Sequence, residues 1–535
     1  MSHKVKLYDV TLRDGAQTEG VSFSLKDKIK IIRLLDEIGI AYIEGGWPGA
    51  NPKDTELYEL MKKEKLTQNA VVVAFGSTRR ACNKPEDDPV LKALIESGAE
   101  QVNVFAKGWD FHVREALKIT LEENLELIFD SVEYLKRYVP AVTLGIEHFF
   151  DGYKANPEYV IKIAKTAEEA GALWVGCADT NGGTLPDDIA GILTAVRKHS
   201  PLVKTIHIHQ DTGLAVAGTI KAIESGVEIV HGTINGIGER CGMADFCTLI
   251  PNFKLKLGID CGVSDEQMKR MKEVAIIVAE SGGFIMNKHA PYVGKAAFFH
   301  KGGVHVDAVL KNPMTYNHID PNLVGNEYTT SVSEMSGKAN VMFLAKKYDI
   351  DIDKNDTRIK ELLDHIKAQE DIGFQYEGAE TSRHMIFKKL LEGYDMRVKI
   401  ERYLFNMNKG AKGGDIFKTD ISSQVEAVVV MNIDGNTEEI AATEERGPLA
   451  ALWKAILTGV EKYYPGFAGT LRVTDLKLRV IEYSEEGIVR TLRIFLELTD
   501  METGEKYNTV GASKDIYTAF MKALLDCIEY KIVTG

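Results

Sequence analysis

Two histidines separated by one residue, His207 and His209, have the clearest chemical potential in this chain. They lie in the apolar run KTIHIHQ over residues 204–210. Successive side chains of a strand point to opposite faces, so a strand here would place both imidazoles on one face. Two imidazoles and a carboxylate form a familiar ligand set for a divalent metal ion. Asp14, just after the first apolar run, is the best candidate carboxylate. A pair of hydrogen-bonded core histidines is the alternative interpretation.

Arg13 and Glu147 are the charged residues expected to act beside such a metal ion. Arg13 directly precedes Asp14. A metal ion and a guanidinium around one carbonyl oxygen would stabilise an enolate or an alkoxide. Glu147, near the end of a later apolar run, would orient a metal-bound water or the substrate. Both residues also have a structural interpretation, in which they only pair with neighbouring opposite charges.

Eight short apolar runs rich in β-branched residues recur about every 32 residues in the first half of the chain. Helical patterns separate them; one, from Ser24 to Gly39, has a capping serine, apolar residues three and four apart, and a terminal glycine. Eight such repeats favour a closed (β/α)8 TIM barrel. A doubly wound open sheet is the alternative, but no GxGxxG follows the first run. The runs are 5–10, 41–46, 70–76, 101–106, 142–149, 173–179, 204–210 and 229–236.

The carboxyl ends of these runs are rich in polar residues. In a barrel of this kind the active site lies at the carboxyl ends of the strands. Polar groups there would be costly to bury without partners or a ligand, which predicts a binding site at this end. They are Arg13, Asp14, Glu44, Glu147, His148, Asp179, Thr180, Asn181, His207, His209, Asn235, Glu239 and Arg240.

The sequence pattern changes after residue 262 and again near residue 396. Residues 264–290 are predicted to form one helix and residues 291–340 a loop-rich linker, with two further helices before residue 396. Alternating runs then favour antiparallel strands and two packed helices, in the order strands then helix, twice. We therefore expect a TIM-barrel catalytic domain at 1–262, helical linker subdomains at 263–395 and a C-terminal α+β regulatory or dimerisation domain at 396–535.

The composition argues against several classes of partner. The 535 residues include 65 Lys and Arg against 78 Asp and Glu, a formal net charge of −13. Such an acidic balance disfavours binding to nucleic acid or to an anionic membrane. No apolar run approaches the roughly 20 residues that a membrane span needs. Six dispersed cysteines without a CxxC pair, and the lack of a signal-peptide pattern, favour a cytoplasmic protein.

Motifs spread in order along the chain carry a family resemblance. Up to about residue 345 they are LYDVTLRDGAQ, EGGWPGANPKD, AFGSTRR, EHFFDGYKANP, DTNGGTLP, HIHQD, GTINGIGERCG and HKGGVHVDAVLKNP. In the C-terminal region ERGPLAALWKAI, TDLKLRV and YNTVGAS follow. Together they resemble the isopropylmalate synthase family, one of the metal-dependent acyltransferase and lyase barrels. GGWPGANPKD and EHFFDGYK point to its longer, citramalate-type branch rather than to the leucine-pathway enzymes.

The resemblance implies an acyltransferase that joins acetyl-CoA to a 2-oxo acid in a Claisen-type condensation. In the citramalate-type branch the oxo acid is pyruvate, the products are citramalate and CoA, and the route leads to isoleucine. The implied cofactor is a divalent metal ion, Mg²⁺, Mn²⁺ or Zn²⁺. By the same resemblance its protein ligands are Asp14, His207 and His209.

The resemblance also implies roles for individual residues. Arg13 binds the substrate and stabilises the alkoxide, Thr180 contacts the substrate carboxylate, and Glu147 matches a catalytic acid. His305 matches a histidine that the linker region delivers, often from the partner subunit, for acid–base work near the acetyl group. A tyrosine is expected to assist it, and Tyr316 and Tyr328 are both candidates.

Several positions depart from the family pattern around the metal site. Met243 stands where the family usually has Asn as a further ligand, and a thioether is a poor ligand for Mg²⁺ or Mn²⁺. Gln210 replaces the Asn of the family's HxHND motif. The segment TGLAVAGT lacks a usual Asn, and Gly145-Ile146 stand where the branch tends to have polar residues. We expect a site with three protein ligands and altered surroundings, which leaves metal affinity, rate and oxo-acid choice open.

Other functions therefore remain as alternatives. Within the family, the alternative is a 2-isopropylmalate synthase that acts on a larger 2-oxo acid. Outside it, the alternatives are a carbon–carbon lyase that shares the metal barrel and a paralogue that binds ligand without turnover.

The C-terminal domain is expected to join two subunits and to regulate them. By resemblance, isoleucine is the expected effector and a homodimer the expected assembly. A plain dimerisation domain is the alternative.

Overall fold

The computed structural model describes residues 4–330, 337–409, 423–483 and 489–534. The chain forms two compact units. The barrel unit comprises Met1–Phe299 and Asn317–Tyr328, and the C-terminal unit comprises His300–Tyr316 and Thr329–Gly535. The three-domain division at 262 and 395 stays a prediction.

Eight parallel strands form the centre of the barrel unit and close on themselves, which confirms the predicted TIM barrel. β1 pairs with both β2 and β8, so the doubly wound open sheet is excluded. The strands are β1 Lys6–Asp9, β2 Tyr42–Gly46, β3 Val71–Ser77, β4 Gln101–Lys107, β5 Ala141–Glu147, β6 Val175–Asp179, β7 Val203–Ile208 and β8 Ile229–Gly232.

Each barrel strand has one face toward the helices and one toward the interior. On β4, Val102 and Val104 are fully buried in the core that strands share with helices. Asn103 and Phe105, between and beyond them, line an interior cavity. The period of two therefore sorts apolar packing residues from residues available to a site. The surrounding helices are Leu25–Glu37, Pro52–Met61, Pro89–Glu96, Leu121–Lys136, Pro157–Glu169, Pro186–Arg197, Ala215–Glu224 and Phe246–Pro251.

Two predicted long helices are interrupted in the structure. The apolar pattern over residues 112–138 predicts one helix, but its first part ends at Lys118, which has a left-handed backbone (φ 58). The helix restarts where Thr120 forms a capping box with Glu123. The one expected at 264–290 divides into Asp265–Met268 and Met271–Gly282. The second piece ends because Gly283 adopts φ 72, a conformation that glycine reaches without strain. The smaller barrel-unit pieces are Asp110–His112, Val113–Leu117, Phe149–Ala155 and Asn252–Leu257.

The C-terminal unit contains two antiparallel three-stranded sheets, each followed by a helix, which is the predicted order of strands then helix, twice. The first sheet is β9 Val398–Lys409, β10 Ser423–Ile433 and β11 Asn436–Glu444; the second is β12 Leu471–Tyr483, β13 Val489–Asp500 and β14 Lys506–Ser513. The alternating runs at 426–432, 437–444, 474–483 and 489–499 predict β10 to β13, whereas β9 and β14 are strands that the sequence patterns did not predict. The main helices are Gly303–Lys311, Lys338–Lys347, Arg358–Asp371, Glu380–Phe387, Pro448–Tyr463 and Ile516–Thr534. Among the described residues, no helix combines the length and apolar character needed to cross a membrane.

Candidate active site

Asp14, His207 and His209 meet at the carboxyl ends of β1 and β7. Asp14 opens the short helical turn after β1, His207 lies in β7, and His209 directly follows it. Nε2 of His207 and Nε2 of His209 lie 3.6 and 3.8 Å from Oδ2 of Asp14. The two Nε2 atoms are 3.2 Å apart. In the part of the chain that the structure describes, this is the one group of three or more His, Cys, Asp or Glu side chains that could hold a metal ion.

The charge states of these side chains suit a divalent cation. Burial alone would raise the pKa of Asp14, but Arg13 and the two histidines lower it to about 2, so the carboxylate is ionised. Burial, reinforced by His209, holds the pKa of His207 well below its ordinary value. His207 is therefore neutral and keeps a lone pair on one ring nitrogen. An ionised carboxylate and a neutral imidazole are the forms that ligate metals.

Arg13 is held between two carboxylates beside this group. Its Nε donates to Oε2 of the fully buried Glu44 at 2.5 Å, and its Nη1 donates to Oδ2 of Asp14 at 2.8 Å. Its guanidinium carbon lies 4.2 Å from the ring centroid of Phe75. Burial alone would lower the pKa of Arg13, but the charges of Glu44 and Asp14 raise it above the ordinary value. Arg13 therefore stays cationic at the place where an oxyanion would need stabilisation.

A cavity of about 200 Å³ inside the barrel unit connects the predicted site residues. Arg13, Asp14, Glu147, Thr180, His207 and His209 all line it. The rest of its lining includes polar side chains, among them Asn103 and His231, together with aromatic rings and very small residues. The aromatic residues are Trp47, Phe75, Phe105 and Trp174, and the small ones are Gly145, Gly176 and Ala178.

Thr180 and Glu147 both have polar partners in the structure. The backbone N–H of His148 donates to Oγ1 of Thr180 at 2.8 Å, which leaves the hydroxyl proton available for an anionic ligand. Glu147 forms an ion pair with Lys107, and 27% and 25% of the two side chains are exposed. This pairing matches the structural interpretation of Glu147, and its role as an acid stays a prediction.

The glycine-rich loop after β8 supports Asp14. The N–H of Glu239 donates to Oδ1 of Asp14 at 3.2 Å. The hydroxyl of Thr18 accepts from the N–H of Gly238 and donates to its carbonyl. A Cβ at Gly238 would lie 2.9 Å from Oδ1 of Asp14, so the loop comes this close only because position 238 is glycine. The loop thus fixes the orientation of the carboxylate.

His305 lies in the C-terminal unit, on the helix Gly303–Lys311. Its exposed ring stacks on Tyr316, with 4.2 Å between the ring centroids. Tyr328 belongs to the barrel unit. Of the two tyrosines that the sequence left as candidates, Tyr316 is the one in ring contact with His305.

Gln210 and Met243, two departures from the family pattern, have structural roles. Oε1 of Gln210 accepts from the N–H of Ala215 at 2.9 Å, where the helix Ala215–Glu224 begins. Met243 is 1% exposed and packs with Tyr8, Tyr42 and other apolar side chains. Neither residue is part of the cavity lining. The three-ligand set therefore forms without a side-chain ligand from position 243, although the backbone there pairs with that of His209.

Below the metal group lies a buried network of His231, Tyr8 and Glu44 that the sequence patterns did not predict. His231 of β8 approaches His207, with 3.4 Å between the two Nδ1 atoms. Its ring stacks on Tyr8 at 4.0 Å between centroids, and the Tyr8 hydroxyl donates to Oε1 of Glu44 at 2.8 Å. Asn103 also donates to Glu44. The signal was the alternation in IVHGT, which places Ile229, His231 and Thr233 on the same face as the barrel interior.

Three family models match consecutive parts of the chain. The model for HMGL-like proteins matches residues 4–275, and that for the homocitrate synthase post-HMGL domain matches residues 292–373. The model for the LeuA allosteric (dimerisation) domain matches residues 395–532. Fold and site together thus define a barrel protein of the HMGL-like class of metal-dependent enzymes.

Full-length relatives give the narrower assignment. The chain is 45% identical to the (R)-citramalate synthase of Geobacter sulfurreducens over 528 residues, which cover 99% of this chain and 97% of that protein. It is 44% identical to the (R)-citramalate synthase of Aquifex aeolicus, with 100% and 98% covered. For the enzyme of Sulfolobus acidocaldarius the identity is 40%, with 99% and 97% covered. The chain belongs to the (R)-citramalate synthase family, which confirms the resemblance inferred from the motifs.

Proposed function

We propose that this protein is an acyltransferase that condenses acetyl-CoA with pyruvate and releases citramalate and CoA, on a route to isoleucine. A methyl proton leaves acetyl-CoA, and the methyl carbon forms a bond to the keto carbon of pyruvate. Water then cleaves the thioester and frees CoA. The observation that carries the proposal is the Asp14, His207 and His209 group beside Arg13, in a chain 45% identical over 99% of its length to an (R)-citramalate synthase.

The donor set fits a divalent ion. One ionised carboxylate and two imidazole nitrogens lie within 4.8 Å of one another, and three protein ligands leave positions for substrate oxygens. Bound there, Mg²⁺, Mn²⁺ or Zn²⁺ supplies Lewis acidity toward the keto carbonyl. Asp14, His207 and His209 are the residues that hold it.

The other cavity residues bind and orient the oxo acid. Arg13 donates to the keto oxygen and stabilises the negative charge that develops on it. Thr180 donates its hydroxyl proton to the carboxylate of the oxo acid, because its oxygen already accepts from His148. Glu147, which lines the cavity, takes the role of catalytic acid that the family motif assigns to it.

His305 is the acid–base residue that takes up the methyl proton of acetyl-CoA. An imidazole is suited to take up and return a proton near neutral pH. The stacking contact between His305 and Tyr316 supports Tyr316 as its assisting tyrosine. The assignment rests on the family motif GGVHVDA and on this contact.

CoA release from metal-stripped, reloaded protein tests the function. Acetyl-CoA is offered with pyruvate, 2-oxobutyrate, 2-oxoisovalerate or 2-oxoglutarate, and Mg²⁺, Mn²⁺ or Zn²⁺ is added back in turn. We expect metal-dependent release that is fastest with pyruvate. Release without metal, or no release with any pair, would contradict the proposal.

A 2-isopropylmalate synthase is the second candidate, and one observation favours it. Gly145 and Gly176 leave the cavity wall without side chains on β5 and β6. A Cβ at Gly145 would meet only Asn103 atoms, at 3.8 Å or more, so this part of the cavity is open. A larger 2-oxo acid would have room there. Faster turnover of 2-oxoisovalerate than of pyruvate would decide for this candidate.

Assembly, regulation and location complete the proposal. The match to the LeuA allosteric (dimerisation) domain over residues 395–532 supports a homodimer with a regulatory C-terminal domain. Isoleucine, to which the proposed route leads, is the effector that we propose. All six cysteines are free thiols, which supports a reducing cytoplasm as the working compartment.

A further inference from the structure

His231 is the only described residue that hydrogen-bonds the ring of a metal-group histidine from outside the group. Nε2 of His207 faces Asp14 and His209, at 3.6 and 3.2 Å. The opposite nitrogen, Nδ1, faces Nδ1 of His231 at 3.4 Å. Nδ1 of His209 is buried without a hydrogen-bond partner among the described residues. Among the described residues, His231 is therefore the side chain outside the group that can hold one of the two rings by a hydrogen bond.

Metal ligation at one nitrogen of His207 would decide the direction of this hydrogen bond. A neutral imidazole has one nitrogen that donates and one that accepts. If Nε2 offers its lone pair to a metal ion, Nδ1 keeps the proton and donates a hydrogen bond to Nδ1 of His231. Such a bond from the far nitrogen of a ligand histidine sets its tautomer and ring orientation and raises its basicity. In metal sites the acceptor is commonly a carboxylate, a carbonyl or water, and here it is a second imidazole.

Packing alone does not explain a histidine at position 231. The ring is 7% exposed and stacks almost parallel on Tyr8, with 4° between the planes. Its Nε2 is buried without a hydrogen-bond partner in the described part of the chain. Phenylalanine would fill the same stack without leaving a buried polar atom unpaired, which costs about 1–3 kcal/mol. The bond to His207 is the contact that requires a nitrogen here.

The stack on Tyr8 also connects His231, through Glu44, to Arg13, which the proposed function places beside the substrate. The Tyr8 hydroxyl donates to Oε1 of Glu44, and the other oxygen of Glu44 accepts from Arg13. Glu44 therefore fixes both the ring beneath His231 and the guanidinium beside Asp14. One buried carboxylate organises the surroundings of the metal group on two sides.

We propose that His231 is a positioning residue that accepts the hydrogen bond of His207 and thereby raises the affinity of the barrel for its divalent ion. The proposal rests on the metal site of the proposed function, and it is independent of which oxo acid reacts.

Metal binding to the full-length, metal-stripped protein tests this role without turnover. Mn²⁺ and Co²⁺ are titrated by calorimetry into the wild type and into His231→Phe, which keeps the stack and removes the acceptor. We expect the affinity to fall about 10- to 100-fold in His231→Phe. His231→Gln, whose side-chain oxygen can accept the same bond, should recover most of the loss.

A matched control comes from the C-terminal unit. The ring of His384 also stacks on a tyrosine, Tyr348, at 4.1 Å, and its Nε2 is likewise buried without a partner among the described residues. His384→Phe should leave metal affinity unchanged. If His231→Phe does not fold, as judged by circular dichroism, His231→Leu removes the same acceptor and is judged by the same criterion.

Two results would overturn the proposal: wild-type metal affinity in the variant that lacks the acceptor, or equal losses in His231→Phe and His231→Gln. If the proposed function is wrong but the role of His231 is right, the experiment gives a different result. In that case the wild type binds metal tightly, His231→Phe binds it weakly, and neither protein releases CoA.

Discussion

Arg13 donates from Nη1 to Oδ2 of Asp14 at 2.8 Å, and this oxygen is the one that faces both metal-group histidines. The two residues are neighbours in the chain, yet the turn after β1 directs both side chains to one point. Asp14, the proposed metal ligand, and Arg13, the cation proposed to hold the keto oxygen, therefore position each other through this hydrogen bond. A change at either residue should disturb both metal binding and catalysis.

Asp14→Asn tests the metal group directly. The amide cannot supply a negative charge, so we expect metal affinity to fall and kcat to fall at least about 100-fold. Calorimetry and CoA release measure the two effects. Asp187→Asn, at an exposed carboxylate on the helix Pro186–Arg197, is the control and should change neither. Wild-type metal affinity in Asp14→Asn would show that the ion binds elsewhere.

Glu44→Gln tests the buried anchor of Arg13. Breaking a buried ion pair typically lowers the free energy of unfolding by about 3–5 kcal/mol, because the remaining charge is left uncompensated. We expect a clear fall in the thermal midpoint and a higher KM for pyruvate. Glu59→Gln breaks the exposed pair with Lys62, which should lower the free energy of unfolding by less than about 1 kcal/mol. Equal midpoints for the two variants would refute the role of Glu44.

Asp9 should make the stability of the barrel unit depend on pH. Burial raises the pKa of Asp9 from 3.8 to about 7. The folded state therefore favours the protonated form, and its stability falls as pH rises from about 4 to about 7, by up to about 4 kcal/mol. Asp9→Asn removes this cost, so its thermal midpoint should exceed that of the wild type more at pH 8 than at pH 5. The same gain at both pH values would rule out titration of Asp9 as the cause.

Gly145→Val should narrow the cavity without blocking pyruvate. The new side chain would point into the open part of the wall, where a Cβ meets only Asn103 atoms. A mismatch of one methylene in an apolar pocket is worth about 1–3 kcal/mol, so turnover of 2-oxoisovalerate relative to pyruvate should fall about 10-fold or more. Gly191→Ala, on a surface helix with no atom within 4 Å of the added Cβ, is the control. An unchanged ratio would mean that the oxo-acid side chain lies elsewhere.

His305→Asn separates chemistry from stability. The ring is exposed, and its centroid lies 4.2 Å from that of Tyr316 and 6.1 Å from that of His300, so the thermal midpoint and metal affinity should stay at wild-type values. We expect kcat to fall about 100-fold, as for loss of an acid–base group. Tyr316→Phe should slow turnover while Tyr328→Phe should not; the reverse order would make Tyr328 the assisting tyrosine.

The barrel was predictable because its strands obey a simple rule. Each is a short apolar run, and the predicted ends agree with the structure to within two residues for seven of the eight strands. The exception is the last run, expected at 229–236, which ends at Gly232 because Asn235 and Gly236 adopt positive φ. Local turn geometry of this kind leaves little trace in hydrophobic patterning.

β9 and β14 were missed for a different physical reason. Leu404 and Met407 of β9 are more than half exposed, so apolar residues occupy both faces and the alternation is blurred. β14 is short of apolar residues, and a Cβ at its Gly511 would lie 1.9 Å from the carbonyl oxygen of Ala519 in the helix Ile516–Thr534. Its place is set by close packing of that helix, which patterns along the strand do not reveal.

The candidate site also contains residues that were predictable from the sequence and residues that were not. Arg13, Asp14, His207 and His209 were identifiable because residue type, spacing and strand ends all agreed. The His231–Tyr8–Glu44 network was not, because its members lie on three strands and come together only when the barrel closes. The ion pair of Glu147 with Lys107 likewise depends on the register of β4 and β5.

The most direct test of the account is product formation by metal-stripped protein given acetyl-CoA labelled with ¹³C at the methyl carbon. With pyruvate and added Mg²⁺ or Mn²⁺, the account predicts that the label appears in citramalate, with one CoA released per citramalate. Without metal, and with Asp14→Asn in either condition, no labelled citramalate should form. Citramalate formed at the same rate without metal would contradict it, and so would a labelled product that forms only when a larger oxo acid replaces pyruvate.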